Sequence, residues 1–218
     1  VAGGARQYVQ RIVAGVDDAR LATPVQSIVR GPDGVQVRSA GTWERFDRVV
    51  IATHSDQALA LLADASPAER ELLGAIQYQS NRAVLHTDAS VLPARRKAWA
   101  SWNYERGPGG PDEARVCLHY LLNMLQPLPW RQPVVVSLNP VREIDPATVV
   151  GDYDYAHPVF DAAAIAAQGR LDEIQGRYGR WYCGAWTGYG FHEDGLKSGL
   201  AVAEALIARA GEVERRAA

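Results

Sequence analysis

Lysine and methionine are almost missing from this 218-residue sequence. Lys97 and Lys197 are the only lysines among 23 basic residues, and Met124 is the only methionine. The arginine bias is of the kind that a GC-rich bacterial genome produces. The formal net charge of −2 leaves no basic excess for nucleic acid or an anionic membrane, so neither is an expected partner. The two cysteines, Cys117 and Cys183, form no CxxC pair and no disulfide framework, which makes a cytoplasmic location the expectation. No apolar run approaches the roughly 18 residues that a transmembrane helix requires, and no signal-peptide pattern opens the chain. The histidines His54, His86, His119, His157 and His192 stand at no metal-ligand spacing, so no metal is expected. Without a GxSxG there is no nucleophile elbow. No GxGxxG follows a strand, so the sequence carries no dinucleotide fingerprint.

What is present is ordinary for a globular chain: 47% hydrophobic and 22% charged residues, enough for one large domain or two small ones. A helix is expected over 3–14, with Tyr8, Val9, Ile12 and Val13 as its apolar stripe. Strands are expected over Val25–Arg30 and Val35–Ser39, joined by the turn Gly31-Pro32-Asp33-Gly34, and over Trp43–Thr53. Two helices follow, Asp56–Ala63 and Pro67–Gly74, capped by Ser55 and Ser66. Further strands are expected over 76–86, Trp99–Tyr104, Val116–Leu122 and Val134–Leu138. Gly107–Pro111 is the clearest loop, and Asp161–Gly169 reads as a helix.

The segment 181–207, WYCGAWTGYGFHEDGLKSGLAVAEALI, carries the functional information. Trp181–Trp186 reads as a strand, Thr187–Gly195 as a glycine-spaced turn, and Leu196–Ile207 as a helix with Leu196, Leu200, Ala203 and Ile207 on one face. Such a unit aims a helix N-terminus, with exposed N–H groups and a positive dipole end, at an electron-rich atom. Gly195 and Gly199, four apart, leave a helix face without bulk, which lets a flat ring come close. A pyrophosphate site is a poor reading of this turn, because Glu193 and Asp194 would repel it.

The stretch Gly184-Ala185, then Gly188 through Gly199, resembles the C-terminal flavin-binding motif of the flavin-containing amine oxidase superfamily. It is most similar to a bacterial subgroup of predicted NAD/FAD-binding proteins, a domain also fused to plant cyclopropane-fatty-acid synthases. The block 23–59, with Val25 on one strand and Ile51-Ala52-Thr53 ending another, resembles the same superfamily. The resemblance implies a mixed α/β fold. A partial FAD-binding domain would cover residues 1–54 and 161–218, and an antiparallel-sheet substrate domain 55–160. The N-terminal Rossmann segment would be missing, so the chain is expected to be the C-terminal portion of a longer protein.

The resemblance also implies noncovalent FAD, held by Val25, Thr53, Gly184, Ala185, Gly190, Phe191, His192, Glu193, Gly195 and Ser198. His192 is the candidate catalytic residue; its alternative role is to close the turn. Ala185 stands where amine oxidases usually carry an acid, which puts that ribityl contact in question. The implied activity is an FAD-dependent oxidoreductase that moves a hydride from a small-molecule substrate, an amine or a fatty-acyl compound, to flavin N5. The alternative is a non-catalytic scaffold for a lipid-modifying enzyme. Trp99, Trp102, Tyr104, Tyr120 and Trp186 either line a substrate cavity or fill a core, and core is the expectation. The isolated chain is expected to self-associate.

Overall fold

The computed structural model describes residues 3–108 and 116–217. The chain forms two compact units. One comprises the residues through Ala19 together with Ser80–His157; the other comprises Arg20–Gln79 and the chain from Pro158 on. The elements run α1 (Arg6–Val13), β1 (Val25–Gly31), β2 (Gly34–Ser39), β3 (Thr42–Phe46), β4 (Val49–Ile51), α2 (Ser55–Leu61), α3 (Pro67–Gly74), β5 (Gln77–His86), β6 (Trp102–Arg106), β7 (Val116–Leu121), α4 (Leu122–Leu125), β8 (Val135–Leu138), β9 (Val149–Val159), α5 (Ala162–Gln168), β10 (Arg180–Tyr182) and α6 (His192–Ala217).

The second unit contains two sheets. One is the antiparallel meander β1–β2–β3; the other pairs β10 with β4 in parallel. The Gly31–Gly34 turn closes the β1–β2 hairpin as the sequence dictates. The expected strand over Trp43–Thr53 is two strands, β3 and β4, and they belong to different sheets. The expected boundary after residue 54 is not where the units part. Helices α2 and α3 place Ala58, Leu62, Leu72 and Leu73 in one buried cluster with Ile28 and Val35 of the meander and Ala164 and Ala167 of α5. This shared apolar core carries 55–79 into the same unit as β1–β4. Ser66 caps α3 with a capping box, its side chain accepting from the Glu69 N–H at 3.2 Å. Ser55 does not cap α2. The N-cap is His54, and Ser55 is buried, its N–H donating to the Tyr78 hydroxyl at 2.9 Å.

A buried ionic cluster holds this unit together. Arg180 and Glu69 are both almost fully enclosed, and they pair at 3.3 Å. Tyr182 donates its hydroxyl to Glu69 at 2.6 Å, the Ser66 N–H donates to Glu69 at 2.6 Å, and Arg180 also pairs with Asp64. Burial pushes the Glu69 carboxyl up, but the bonds from Tyr182 and Ser66 and the charge of Arg180 together hold it below its ordinary value.

The first unit is built on the sheet β6–β7–β8–β5–β9. Its antiparallel registers put Trp102 opposite Tyr120, Tyr120 opposite Val136, and Val84 opposite Ser137. One face packs Val84, Leu121 and Val135 against Val91, Leu92 and Ile144. The other carries Trp102 and Tyr104, which are 57% and 67% exposed. The aromatics are therefore divided rather than all in a core: Trp186 is buried, Trp99 is half-buried, and Trp102 and Tyr104 face outward. Strand β9 was not expected from the sequence, because Gly151, Asp152 and Asp154 interrupt its apolar pattern. Arg82 of β5 secures it through a bidentate pair with Asp152. The expected loop Gly107–Pro111 extends beyond the described residues.

Candidate functional site

The turn before α6 is built by hydrogen bonds among the residues that the sequence singles out. Gly184 adopts φ 149°, a region that favours glycine. A Cβ there would lie 2.7 Å from Trp186 Nε1. That indole instead donates to the Thr53 carbonyl at 3.0 Å, which ties the turn to the end of β4. The Gly184 N–H donates to Ser198 Oγ at 3.0 Å, and the Ser198 hydroxyl donates to the Gly195 carbonyl at 2.9 Å. Ser198 thus staples the first turns of α6 to the start of the loop. The Ala185 carbonyl accepts from the Gly190 N–H at 3.1 Å, and Gly190 takes φ 88°. From α5, Gln168 donates to the carbonyls of Trp186 (2.8 Å) and Gly188 (2.7 Å).

The helix starts at His192, four residues before the expected Leu196, so His192, Glu193, Asp194 and Gly195 form its first turn. Asp194 folds back to accept from the N–H groups of Tyr189 (3.1 Å) and Phe191 (3.0 Å). The Phe191 carbonyl accepts from Asp194 and Gly195. This leaves the N–H groups of His192 and Glu193 without a hydrogen bond among the described residues. Phe191, His192 and Glu193 are exposed. Glu193 pairs along the helix with Lys197 at 3.4 Å, both side chains largely solvated.

The two helix glycines differ. A Cβ at Gly195 would meet the Ala185 backbone at 3.6 Å, whereas at Gly199 it would meet nothing within 4 Å. Gly195 thus lies within ordinary van der Waals contact of the loop, and Gly199 is the one that leaves open space. The expected helix stripe is also resolved: Leu196, Leu200 and Ile207 are 58%, 53% and 72% exposed, while Val202 packs with Trp181 and Cys183.

Val25 and Thr53 meet at a second feature, an apolar cavity of about 610 Å³ lined by Val25, Ile28, Val37, Val49, Ile51 and Thr53. Sequence reasoning paired these two residues only through the family resemblance. It missed Trp186 and Gln168, which hold the turn in place and carry no local signal.

The family model for flavin containing amine oxidoreductases matches residues 1–127. The chain belongs to this family. Several solved structures share its fold. Putrescine oxidase bound to putrescine aligns at 14% identity over 94% of this chain and 53% of that one, with TM-score 0.61. A conjugated-linoleic-acid (CLA)-producing fatty acid isomerase from P. acnes aligns at 15% identity over 88% and 49%, TM-score 0.58. Cyclohexylamine oxidase from Brevibacterium oxydans IH-35A aligns at 15% identity over 93% and 53%, TM-score 0.53. At these identities the likeness is one of fold, and the chain spans about half the length of these structures. No curated protein sequence matches. Against this family background, the site residues fit a flavin: two unpaired N–H groups at a helix N-terminus, a bare Gly199, and an apolar cavity between Val25 and Thr53.

Proposed function

We propose that the protein works as an FAD-dependent oxidoreductase in which a substrate carbon gives up a hydride to flavin N5. The uncovered start of α6 carries this reading. The N–H groups of His192 and Glu193, backed by the dipole of a 26-residue helix, supply positive potential where a bound ring gathers negative charge. A bound flavin supplies the two-electron acceptor, which no side chain in this sequence provides. Gly184, Ala185, Gly190, Gly195 and Ser198 fix the geometry of the turn. Phe191 and His192 present their side chains beside the exposed helix start, and His192 is the residue placed to donate a proton there. Val25 and Thr53 take the adenine end in the apolar cavity. In this reading binding is noncovalent, and neither Cys117 nor Cys183, both buried, is exposed for a thioether link. In this reading the unit of β1–β4, β10 and α6 is the cofactor side, and the sheet β6–β7–β8–β5–β9 is the substrate side.

The outward face of that sheet favours an acyl substrate over a cationic amine. Trp102, Tyr104, Leu118, Tyr120, Val136 and Leu138 share it by register, and its positions on β6, β7 and β8 include no carboxylate. Putrescine oxidase acts in the same fold on a diamine, and the P. acnes enzyme on a fatty acid; the chemistry of this face matches the second. The test is anaerobic mixing of the FAD-loaded full-length protein with fatty acids and with amines. Bleaching of the 450 nm band by a fatty acid supports the reading, bleaching by amines alone reverses the substrate class, and a protein that takes up no flavin overturns the function.

A further inference from the structure

The buried face of the β6–β7–β8–β5 sheet contains a row of polar groups that the flavin chemistry does not use. Asn103, His119 and Ser137 are neighbours by register, as are Glu105 and Cys117, and His86 sits on the same face of β5. His86, His119, Ser137 and Cys117 are almost completely enclosed. His86 Nε2 lies 2.7 Å from Ser137 Oγ, which lies 2.6 Å from His119 Nδ1. His119 Nε2 lies 2.9 Å from Glu105 Oε2. Glu105, 28% exposed, is also paired with Arg142 at 3.2 Å.

The position of every proton in this chain follows from one fixed donor. The backbone N–H of Asp88 points at His86 Nδ1, 3.1 Å away, and an amide can only donate. His86 Nδ1 is therefore bare, and the neutral ring carries its proton on Nε2. That proton goes to Ser137 Oγ. The single hydroxyl hydrogen of Ser137 must then go to His119 Nδ1. His119 in turn bears its proton on Nε2 and donates to the Glu105 carboxylate. All four bonds run in one direction, and none has two donors or two acceptors.

We infer that Asp88–His86–Ser137–His119–Glu105 is a one-way hydrogen-bond relay that acts as an acid-released lock on the sheet, with Glu105 as its proton port. An added proton breaks the row at a definite bond. A proton at His119 Nδ1 turns the Ser137 oxygen into an acceptor from both rings and orphans the hydroxyl hydrogen. A proton at His86 Nδ1 would face the Asp88 N–H, donor against donor. The groups around the relay agree. Burial holds His86 below the ordinary histidine value, the Asp88 carboxylate pulls it part of the way back, and the neighbouring His119 lowers it further. Burial pushes the Cys117 thiol, 3.5 Å from His119 Nε2, up to about 11, so it stays protonated. The remaining charged neighbour, Arg142, offsets Glu105. A second proton on His119 thus weakens the row at Ser137, and one on His86 breaks it at Asp88.

The experiment is long-range 15N–1H correlation of the histidine rings in the labelled 218-residue chain between pH 8 and pH 5, with amide exchange measured in parallel. Both His86 and His119 should show the Nε2–H form at pH 8. Amides of Val116–Leu121 and Val135–Leu138 should exchange roughly tenfold faster or more once either ring gains a second proton, the cost of one buried unpaired donor. An Nδ1–H form of His86 at pH 8, or exchange unchanged across the range, would each overturn the proposal. Ser137→Ala removes the central hydroxyl and should abolish the acid dependence of exchange, and Ser137→Thr should restore it. Retention of that dependence in Ser137→Ala would also refute the relay. These readouts need no flavin, so they stand or fall apart from the redox function.

Discussion

At the scale of single residues, the two glycines near the start of α6 have different surroundings. Gly195 and Gly199 were taken together as a bare helix face, but only Gly199 opens on empty space. Gly199→Leu should therefore lower flavin occupancy while leaving the melting temperature of the flavin-free protein unchanged. Gly195→Leu should disturb the loop itself through Ala185, losing stability as well as flavin. Absorbance at 450 nm against scanning calorimetry separates the two, and equal behaviour of both variants would remove the distinction. Glu69 offers a second contrast. Glu69→Gln leaves the buried Arg180 with Asp64 as its remaining carboxylate partner, a loss of up to about 3–5 kcal/mol, the cost of breaking a buried pair. Arg82→Ala removes only the exposed pair with Asp152, which water screens, so a much smaller loss is expected. Urea titration of both variants tests the order. Glu69 was invisible beforehand as anything but a first-turn helix acid, because its partners Arg180 and Tyr182 are more than a hundred residues away in sequence.

At the scale of elements, helices and the hairpin were legible because their signals are local. Ser66-Pro67 with Glu69 makes a capping box, Asp161 caps α5 by accepting from the Ala164 N–H at 2.8 Å, and the Gly31–Gly34 turn fixes the β1–β2 register. Misreadings came where tertiary contacts overrode the pattern. The apolar run ending at Thr53 was split between two sheets, and β9 formed from a stretch broken by glycine and aspartate. The start of α6 moved four residues upstream because the Asp194 side chain satisfies the N–H groups of the incoming loop. Asp194→Ala should fray that start and cost about 1 kcal/mol, the usual value of a lost N-terminal cap. Chemical denaturation gives the energy, and faster amide exchange at Tyr189 and Phe191 locates it. Exchange unchanged at those two amides would show that the loop holds without Asp194.

For the whole molecule, the titrations of the two buried groups His86 and Glu69 contribute to the acid limit of stability, and both have the same sign. The pKa values of His86 and Glu69 are depressed in the folded state, so the unfolded chain binds more protons and stability falls as pH falls. His86 contributes below its ordinary value of about 6.5 and Glu69 below about 4.5. Two successive losses of stability on acidification are expected in denaturation curves at stepped pH, and a flat profile from pH 7 to pH 4 would contradict both. We also expect the 218-residue chain to self-associate. Leu196, Leu200 and Ile207 form an exposed apolar stripe on α6, and strand β4 has only β10 as a partner among the described residues. Surfaces of this kind find a partner when one copy can supply it to another. Light scattering over a dilution series tests this, with Leu200→Glu expected to shift the equilibrium toward monomer; a monomer at high concentration would refute it.

The sequence by itself determined the local chemistry of this protein. It set the helices, the hairpin and the glycine turn with its flavin-family pattern, because neighbours in sequence fix backbone angles, caps and the exposed N–H groups of a helix start. Only the tertiary structure decided what faces what. The order β6–β7–β8–β5 brings His86, His119, Ser137 and Glu105 into one row, and packing of α3 against β10 joins Glu69 to Arg180 and Tyr182. Those contacts depend on strand order and register, which a side-chain period of two along each strand leaves open until the partner strand is chosen.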